Sequence, residues 1–207
     1  YIIDGDIRTF DFCVANPPFS VKRWSTDLSS KQEYGRFTGF GRPPENCADY
    51  AFLLHMLKSM DPIDGRGAII LPHGVLFRGG QEEEIRKKLL KCGLIEGIIG
   101  LPSNLFYGTI ISACIIVLDK KNAINRNDIF MIDASRFYVK DGNKNKLREE
   151  DIRKITDTYL GRIEEEKYSK IVTMEEIEKE EYNLNIPRYI DSSNEETIQD
   201  LRAHLYG

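Results

Sequence analysis

The chain has 207 residues, of which 41% are hydrophobic and 10% aromatic, and this composition favours a packed domain over a disordered chain. The longest apolar run, residues 110–118, is far shorter than the roughly 20 residues that a membrane helix needs. No signal peptide is visible, so we expect a soluble protein with no membrane partner. A protein that binds nucleic acid alone usually has a basic face, so with a net charge of −4 either the charge is locally uneven or a partner supplies most phosphate contacts.

The cysteines are scattered along the chain at Cys13, Cys47, Cys92 and Cys114, without a CxxC pair. This spacing argues against a zinc site or a disulfide framework, and it favours reduced, buried thiols in a cytoplasm.

The first half of the chain alternates apolar strands with amphipathic helices. A strand over residues 10–15 ends at Asn16-Pro17-Pro18-Phe19, because two consecutive prolines cannot continue a central ladder. A polar loop, residues 20–46, precedes a helix predicted over 49–60. A second strand over 67–72 is followed by a helix over 81–92 that Gly93 is well placed to end.

Three more apolar strands are predicted over residues 94–101, 113–118 and 129–132. The alternation predicts an α/β fold with a parallel, doubly wound sheet. The strands over 94–101 and 113–118 have no helix between them, so we expect them to pair antiparallel at an edge.

After the last strand the chain becomes a series of charged, predicted helices. One apolar stripe comprises Ile152, Ile155, Tyr159 and Ile163, and two capping boxes pair Thr173 with Glu176 and Ser193 with Glu196. We therefore divide the chain into a sheet domain, residues 1–135, and a helical tail, residues 136–207.

The turn Asn16-Pro17-Pro18-Phe19 carries the clearest chemistry. An asparagine side-chain oxygen and a backbone carbonyl can both accept hydrogen bonds from an exocyclic amine, and the prolines hold those acceptors in place. An aromatic ring beside them can stack on a flipped-out base. The alternative is a strand-ending turn in which Asn16 is only a local cap.

Basic residues are concentrated just after this turn, where residues 20–46 hold five basic against three acidic side chains. Lys22, Arg23 and Trp24 could contact phosphates or fill the hole left by an extruded base, and Arg36 and Arg42 are weaker candidates. The alternative is a solvated loop with one anchoring tryptophan. We interpret His55 as a surface residue or one packed against the loop, and His73 as structural, although His73 could line a cleft.

Seven sequence blocks resemble the N6-adenine methyltransferase domain of type I modification subunits. They are FDFCVANPPFS (10–20), NCADYAFLLHML (46–57), GRGAIILPHGVLFRGG (65–80), EIRKKLL (84–90), LPSNLFYGT (101–109), SACIIVLDK (112–120) and EYNLNIPRY (181–189). The resemblance implies a Rossmann-like, S-adenosylmethionine-dependent methyltransferase sheet, represented from the NPPF strand onward, with a C-terminal helical appendage.

The resemblance also implies roles for individual residues. Asn16 and the carbonyl of Pro17 would accept from adenine N6, Pro18 would stiffen the turn, and Phe19 would stack on the flipped adenine. The stretch 106–109 would shape the base pocket, although an edge turn is the alternative. Asp6 resembles an acidic position that touches the adenine of the donor, S-adenosylmethionine; a plain turn is the alternative.

The family's glycine-rich donor-binding turn does not occur among the fifteen residues before Asn16. We therefore expect this chain alone to bind S-adenosylmethionine weakly and to be inactive.

The resemblance further implies a prokaryotic cytoplasmic protein that acts on DNA. Its partners would be a specificity subunit, a second modification subunit and, in some systems, a restriction nuclease subunit. The helical tail would dock on the specificity subunit or simply cover the sheet. Two other functions remain open: an RNA guanine-N2 methyltransferase, and a non-catalytic scaffold that lacks the donor site.

Overall fold

The structure, a computed structural model, describes residues 2–3, 5–25 and 34–192. Its strands are β1 (Ile2–Ile3), β2 (Asp6–Ile7), β3 (Phe12–Ala15), β4 (Arg66–Pro72), β5 (Ile95–Gly100), β6 (Ala113–Asp119), β7 (Asp128–Asp133), β8 (Val139–Asp141), β9 (Lys144–Lys146) and β10 (Ser169–Thr173). Its α-helices are α1 (Asp49–Ser59), α2 (Gln81–Lys91), α3 (Glu149–Gly161) and α4 (Met174–Lys179). None of the helices in these ranges is long and apolar enough to cross a membrane.

The central feature is a six-stranded sheet in the order β10-β7-β5-β6-β4-β3. β3 runs parallel to β4, and β5 runs parallel to β7. β6 is antiparallel to both of its neighbours, and β10 is antiparallel to β7. The predicted α/β class is confirmed, but the sheet is mixed rather than parallel throughout.

The position of β6 corrects one expectation. β5 and β6 do pair antiparallel, as predicted. They do not lie at an edge, because β6 is inserted between β4 and β5 and pairs along β4 from Gly67↔Leu118 to Pro72↔Ala113. Its residues Cys114, Ile116 and Leu118 are buried, which suits an interior strand better than an edge strand.

The two long helices of the first half pack on the sheet as the sequence predicts. α1 buries Leu53, Leu54 and Leu57 in the core. α2 ends in a Schellman motif, in which Gly93 donates to the Leu90 carbonyl and the next residue donates to Leu89. Gly93 has φ +63°, and a Cβ atom there would collide with the backbone of Ala123, so glycine is required on both grounds.

The region after residue 135 is only partly helical. α3 and α4 are present, and the capping box of Thr173 and Glu176 is confirmed at the start of α4. The second box, at Ser193, lies outside the described residues. Residues 169–173 form β10 and extend the sheet beside β7, so the expectation of a wholly helical tail is wrong here. Val172 is fully buried in this pairing, which explains why a short strand forms within a charged region.

The four cysteines are free thiols with different environments. Cys114 is buried, as predicted, whereas Cys13 and Cys47 are half-buried. Cys92 is exposed, which contradicts the prediction, because it lies at the C-terminal end of α2 on the surface.

Candidate active site

The carboxyl ends of β3, β4 and β5 lie at one edge of the sheet, where open α/β folds bind their ligands. β3 is followed directly by Asn16, and β4 is followed by His73. Since β6 runs the other way, it begins at this same edge with Ala113. The loop that joins β5 to β6, residues 101–112, therefore lies on the same side as the Asn16-Pro17-Pro18-Phe19 turn.

The turn and the β5–β6 loop form the two walls of one cleft. The rings of Phe19 and Phe106 meet edge to face, with centroids 5.7 Å apart and planes at 75°. The cleft has a volume of about 580 Å³. Its lining residues are Asn16, Pro17, Pro18, Phe19, Ser20, Phe106, Tyr107, Gly108, Thr109 and Ile111. The side chain of Asn16 is exposed, so its amide is accessible to a ligand.

The hairpin of β8 and β9, which the sequence analysis does not predict, supports the β5–β6 loop. The Lys144 ammonium at the start of β9 donates to the carbonyl of Phe106 at 2.6 Å, to Oδ1 of Asn104 at 3.1 Å and to the carbonyl of Thr109 at 3.3 Å. A sequence signal for this hairpin exists, since Asp141 is followed by Gly142, which has φ +58° in the turn between β8 and β9. The loop is therefore fixed in place while its tip, Tyr107, is 96% exposed.

A second cleft lies on the other side of Asn16, with a volume of about 560 Å³. It is lined by Ile7, Arg8, Phe10, Phe12, Cys13, Val14, Ala15, Asn16, Pro17, Phe52, His55, Met56 and Ser59. This described lining is mostly apolar and aromatic, with polar side chains from Arg8, Asn16, His55 and Ser59, and no acidic side chain is among these residues. Such a lining suits the apolar and aromatic parts of a methyl donor.

Asp6, the candidate donor ligand, does not line this cleft. Its exposed carboxylate accepts a hydrogen bond from the backbone N–H of Ile7 at 2.8 Å and one from Lys58 at 3.4 Å. The Ile7 hydrogen bond, followed by the Lys58 hydrogen bond, lowers the pKa of Asp6 below its ordinary value. In this arrangement the carboxylate is part of a turn and a surface ion pair.

The candidate DNA-contacting residues after the turn lie in two different environments. Lys22 and Arg23 are exposed shortly after the turn in the chain. Trp24 instead packs inward: its indole N–H donates to the carbonyl of Pro44 at 2.9 Å, and its ring meets Phe37 at 5.7 Å. This geometry favours the anchoring role of Trp24 over the filling of a hole in DNA.

Arg36 and Arg42 contact the same loop region. Arg36 donates to Nδ1 of His55 at 3.0 Å, and the guanidinium of Arg42 lies 6.0 Å from the ring centre of Trp24. Burial, with a smaller contribution from Arg36, lowers the pKa of His55, so its imidazole remains a neutral acceptor.

His73 is largely enclosed at the end of β4, where burial lowers its pKa. Its Nε2 atom is buried and has no hydrogen-bond partner within the described part of the chain. The structural role predicted for His73 stays a prediction.

Comparison with known proteins agrees with this architecture. The profile of the N-6 DNA Methylase family matches residues 4–198. The type I restriction enzyme MpnII methylase subunit of Mycoplasma pneumoniae is 36% identical over 205 residues, which are 98% of this chain and 37% of that relative. The MjaVII methylase subunit of Methanocaldococcus jannaschii is also 36% identical, over 94% of this chain and 35% of its own length.

Among solved structures, the type I restriction-modification methyltransferase subunit of Streptococcus thermophilus is similar, with 44% sequence identity and a TM-score of 0.80. The match covers 88% of this chain and 38% of that one. These matches agree with the fold and with the turn at the carboxyl ends of its strands. The chain belongs to the N-6 DNA methylase family. Within that family, the relatives named above are methylase subunits of type I restriction enzymes, as the sequence blocks predict. The chain spans 37% and 35% of the length of the first two relatives.

Proposed function

We propose that this chain is the base-holding part of a DNA adenine-N6 methyltransferase that acts in a type I restriction–modification system. The observation that carries the proposal is the Asn16-Pro17-Pro18-Phe19 turn, which ends β3 and faces Phe106 across a cleft of about 580 Å³. Asn16 and Tyr107 are exposed in this cleft, and Lys144 holds its β5–β6 wall, which suits a pocket for an extruded base. The matching family is that of N-6 DNA methylases and the relatives are methylase subunits of type I restriction enzymes, which does not favour the RNA guanine alternative.

The turn holds the amine of the base. The side-chain oxygen of Asn16 and the carbonyl of Pro17 accept the two hydrogens of adenine N6. With both hydrogens engaged, the lone pair of the nitrogen points away from the turn. The same two oxygens stabilise the positive charge that develops on the nitrogen as it takes up a methyl group.

The aromatic walls position the ring of the base. Phe19 stacks on the flipped adenine, and Phe106 sets the width of the pocket because its ring contacts Phe19. Lys144 holds the Phe106 backbone at 2.6 Å, so this wall does not depend on the ligand for its position.

S-adenosylmethionine, the methyl donor, would supply an electrophilic methyl group on the other side of Asn16. The described lining of that second cleft includes no acidic side chain of the kind that the family resemblance assigns to the donor's ribose. We propose that the family's glycine-rich turn, which the fifteen residues before Asn16 do not contain, forms the main donor site, and that Asp6 is a candidate ligand beside it. The prediction that the 207-residue chain alone binds the donor weakly is tested by calorimetry, and a micromolar dissociation constant would contradict it.

DNA, a specificity subunit and a second modification subunit are the proposed partners, with a restriction nuclease subunit in some systems. Lys22 and Arg23 are exposed and follow Phe19 closely in the chain, so we propose them for phosphate contacts. Replacing either one with alanine should weaken DNA binding for all sequences and reduce the salt dependence by a slope of about 1. A tail that docks on the specificity subunit remains part of the proposal.

Sequencing that detects N6-methyladenine in the host genome tests the function directly. A host with the intact gene is compared with hosts that carry Asn16→Ala or Asn125→Ala. Asn125 is also exposed, but it lies between β6 and β7 at the opposite edge of the sheet, so Asn125→Ala controls for the loss of an amide. We expect Asn16→Ala alone to abolish methylation at one defined DNA motif. An unchanged methylome in that host would overturn the assignment.

A further inference from the structure

The backbone conformation that follows the catalytic turn needs support. Ser20, directly after Phe19, has φ +52°, a left-handed conformation that carries a steric penalty for any residue with a Cβ atom. Its backbone N–H donates to Oδ1 of Asp49 at 2.7 Å, and its hydroxyl lies 3.4 Å from Oδ2 of the same carboxylate. Asp49 therefore holds the turn at its C-terminal end, although 29 residues separate the two in sequence.

Asp49 is itself fully buried at the first position of α1. A buried carboxylate needs a partner, and Arg78 supplies one: Nη1 lies 2.9 Å from Oδ2 of Asp49 and 3.1 Å from Oε1 of Glu82. The thiol of Cys47 donates to the same Asp49 oxygen at 3.2 Å. Burial raises the pKa of this thiol to about 12, so it stays protonated.

The ligand atoms of Cys47, Asp49 and Glu82 lie within 4.8 Å of one another, a spacing that could suit a metal ion. Nη1 of Arg78 is within hydrogen-bond distance of all three residues. The guanidinium therefore occupies the position from which a cation would neutralise this group. The cluster is an internal ion pair, not an available metal site.

Gly74, just after β4, makes room for the guanidinium. A Cβ atom at Gly74 would lie 2.5 Å from both Nε and Nη2 of Arg78. The backbone of Arg78 is fixed as well, since its carbonyl accepts a hydrogen bond from Arg86 at 2.9 Å. The end of β4 is thereby connected through Arg78 and Asp49 to the turn at the end of β3.

We propose that Asp49 and Arg78 are positioning residues for methyl transfer, which rests on the proposed function. Asp49 fixes Ser20 in its left-handed conformation and so holds the acceptors of Asn16 and Pro17 in place. Arg78 pairs with the Asp49 carboxylate and so fixes its orientation. Neither side chain lines the base cleft, so neither contacts the substrate.

The test uses the assembled methyltransferase with its partner subunits, and it measures single-turnover methyl transfer and DNA affinity. Asp49→Ala should slow methyl transfer by about 10²-fold, because the acceptors lose their fixed positions. DNA affinity should change little. Glu82→Gln is the matched control: it alters the same cluster and keeps an acceptor for Arg78 but does not touch Ser20, so it should slow transfer far less.

The decisive variant is Ser20→Gly in the Asp49→Ala background. Glycine adopts φ +52° without a steric penalty, so the turn no longer needs the carboxylate, and the rate should recover by about tenfold. A role of Asp49 in general stability would not be rescued by this change. A double variant as slow as Asp49→Ala, or an Asp49→Ala enzyme at full rate, would overturn the proposal.

Two milder variants apply if Asp49→Ala does not fold. Asp49→Asn keeps an oxygen acceptor for Ser20. It should retain more activity than Gly74→Ala, which displaces the guanidinium of Arg78. Equal and full activity in both would contradict the proposal. The Asn16→Ala enzyme separates the two failures: if it still methylates, the proposed function is wrong, and if it is inactive while the Asp49 variants are normal, only the positioning role is wrong.

Discussion

The two edge strands of the central sheet, β10 and β3, differ in how completely the rest of the chain covers them. At the β10 edge, Val172 is fully buried. Nearby, residues 182–192 pack against the ends of the inner strands, where Ser192 donates to Asp133 at 2.6 Å. At the β3 edge, Phe12 is 77% exposed and Val14 is 86% exposed, on the face of the strand away from α1. One edge is completed by the chain itself, whereas the other presents an apolar face.

The covered edge at β10 mainly stabilises the fold, whereas the open edge at β3 serves its function. The covered edge contains the Lys170–Glu176 ion pair, the Thr173 capping box and the buried Val172 of β10. The open edge carries the Asn16-Pro17-Pro18-Phe19 turn, whose side chains must be accessible to act. Substitutions at the covered edge should therefore change the free energy of unfolding, and those at the open edge should change activity.

The largest expected effect on stability is at Arg86, which attaches the C-terminal region to α2. Its buried guanidinium donates to the carbonyls of Tyr182 at 2.8 Å, Arg78 at 2.9 Å and Val75 at 3.2 Å. Arg86→Met should lower the free energy of unfolding by about 3 kcal/mol, because buried carbonyls lose charged donors. Urea unfolding checks this.

Lys87→Met on the same helix is the control for Arg86→Met. Lys87 pairs with Glu83 at the surface, and it meets the C-terminal region through a cation–π contact, with its ammonium 5.7 Å from the centre of the Tyr182 ring. A surface ion pair and an exposed cation–π contact contribute far less than three buried charged hydrogen bonds, so Lys87→Met should be clearly less destabilising than Arg86→Met. If the two variants were equally stable, the C-terminal region would not depend on Arg86 for its attachment.

A smaller effect is expected when the same substitution is made in each of the two edge strands. Val172→Ala should cost about 2 kcal/mol, since it leaves a cavity in the core. Val14→Ala makes the same chemical change at an exposed position and should cost less than about 0.5 kcal/mol. Thermal unfolding of the two variants measures the contrast, and equal losses would mean that the face of β3 is covered in solution.

Much of the fold can be predicted from sequence because its determinants are local. The apolar runs of β4 to β7 and the amphipathic spacing of α1 and α2 are found within a residue or two of the predicted bounds. Gly93 ends α2 through its own φ angle and hydrogen bonds. The Asn16-Pro17-Pro18-Phe19 turn could be found for the same reason, since prolines end a strand wherever the strand lies in the sheet.

The remaining features depend on contacts between distant residues. The insertion of β6 between β4 and β5 is a choice of partners that a single apolar run does not specify. β10 is short and lies among charges, so only its pairing with β7 identifies it. The ion pair of Asp49 with Arg78 joins residues 29 positions apart, and each residue alone looks like an ordinary polar side chain.

The smallest effect concerns the junction of β10 and α4, at the covered edge. Thr173 ends β10 and caps α4, and its hydroxyl accepts the backbone N–H of Glu176 at 3.3 Å. Thr173→Ala should lower the free energy of unfolding by about 1 kcal/mol, the usual contribution of such a cap.

The hydrogen bond from Lys170, followed by that from the Thr173 backbone, lowers the pKa of Glu176 below 4.5. Glu176 therefore stabilises the fold above pH 4.5 and loses this contribution as the pH falls through its lowered pKa. The melting temperatures of the native chain and Glu176→Gln should converge as the pH is lowered through this range, and a constant difference would mean that the Glu176 charge does not stabilise this junction.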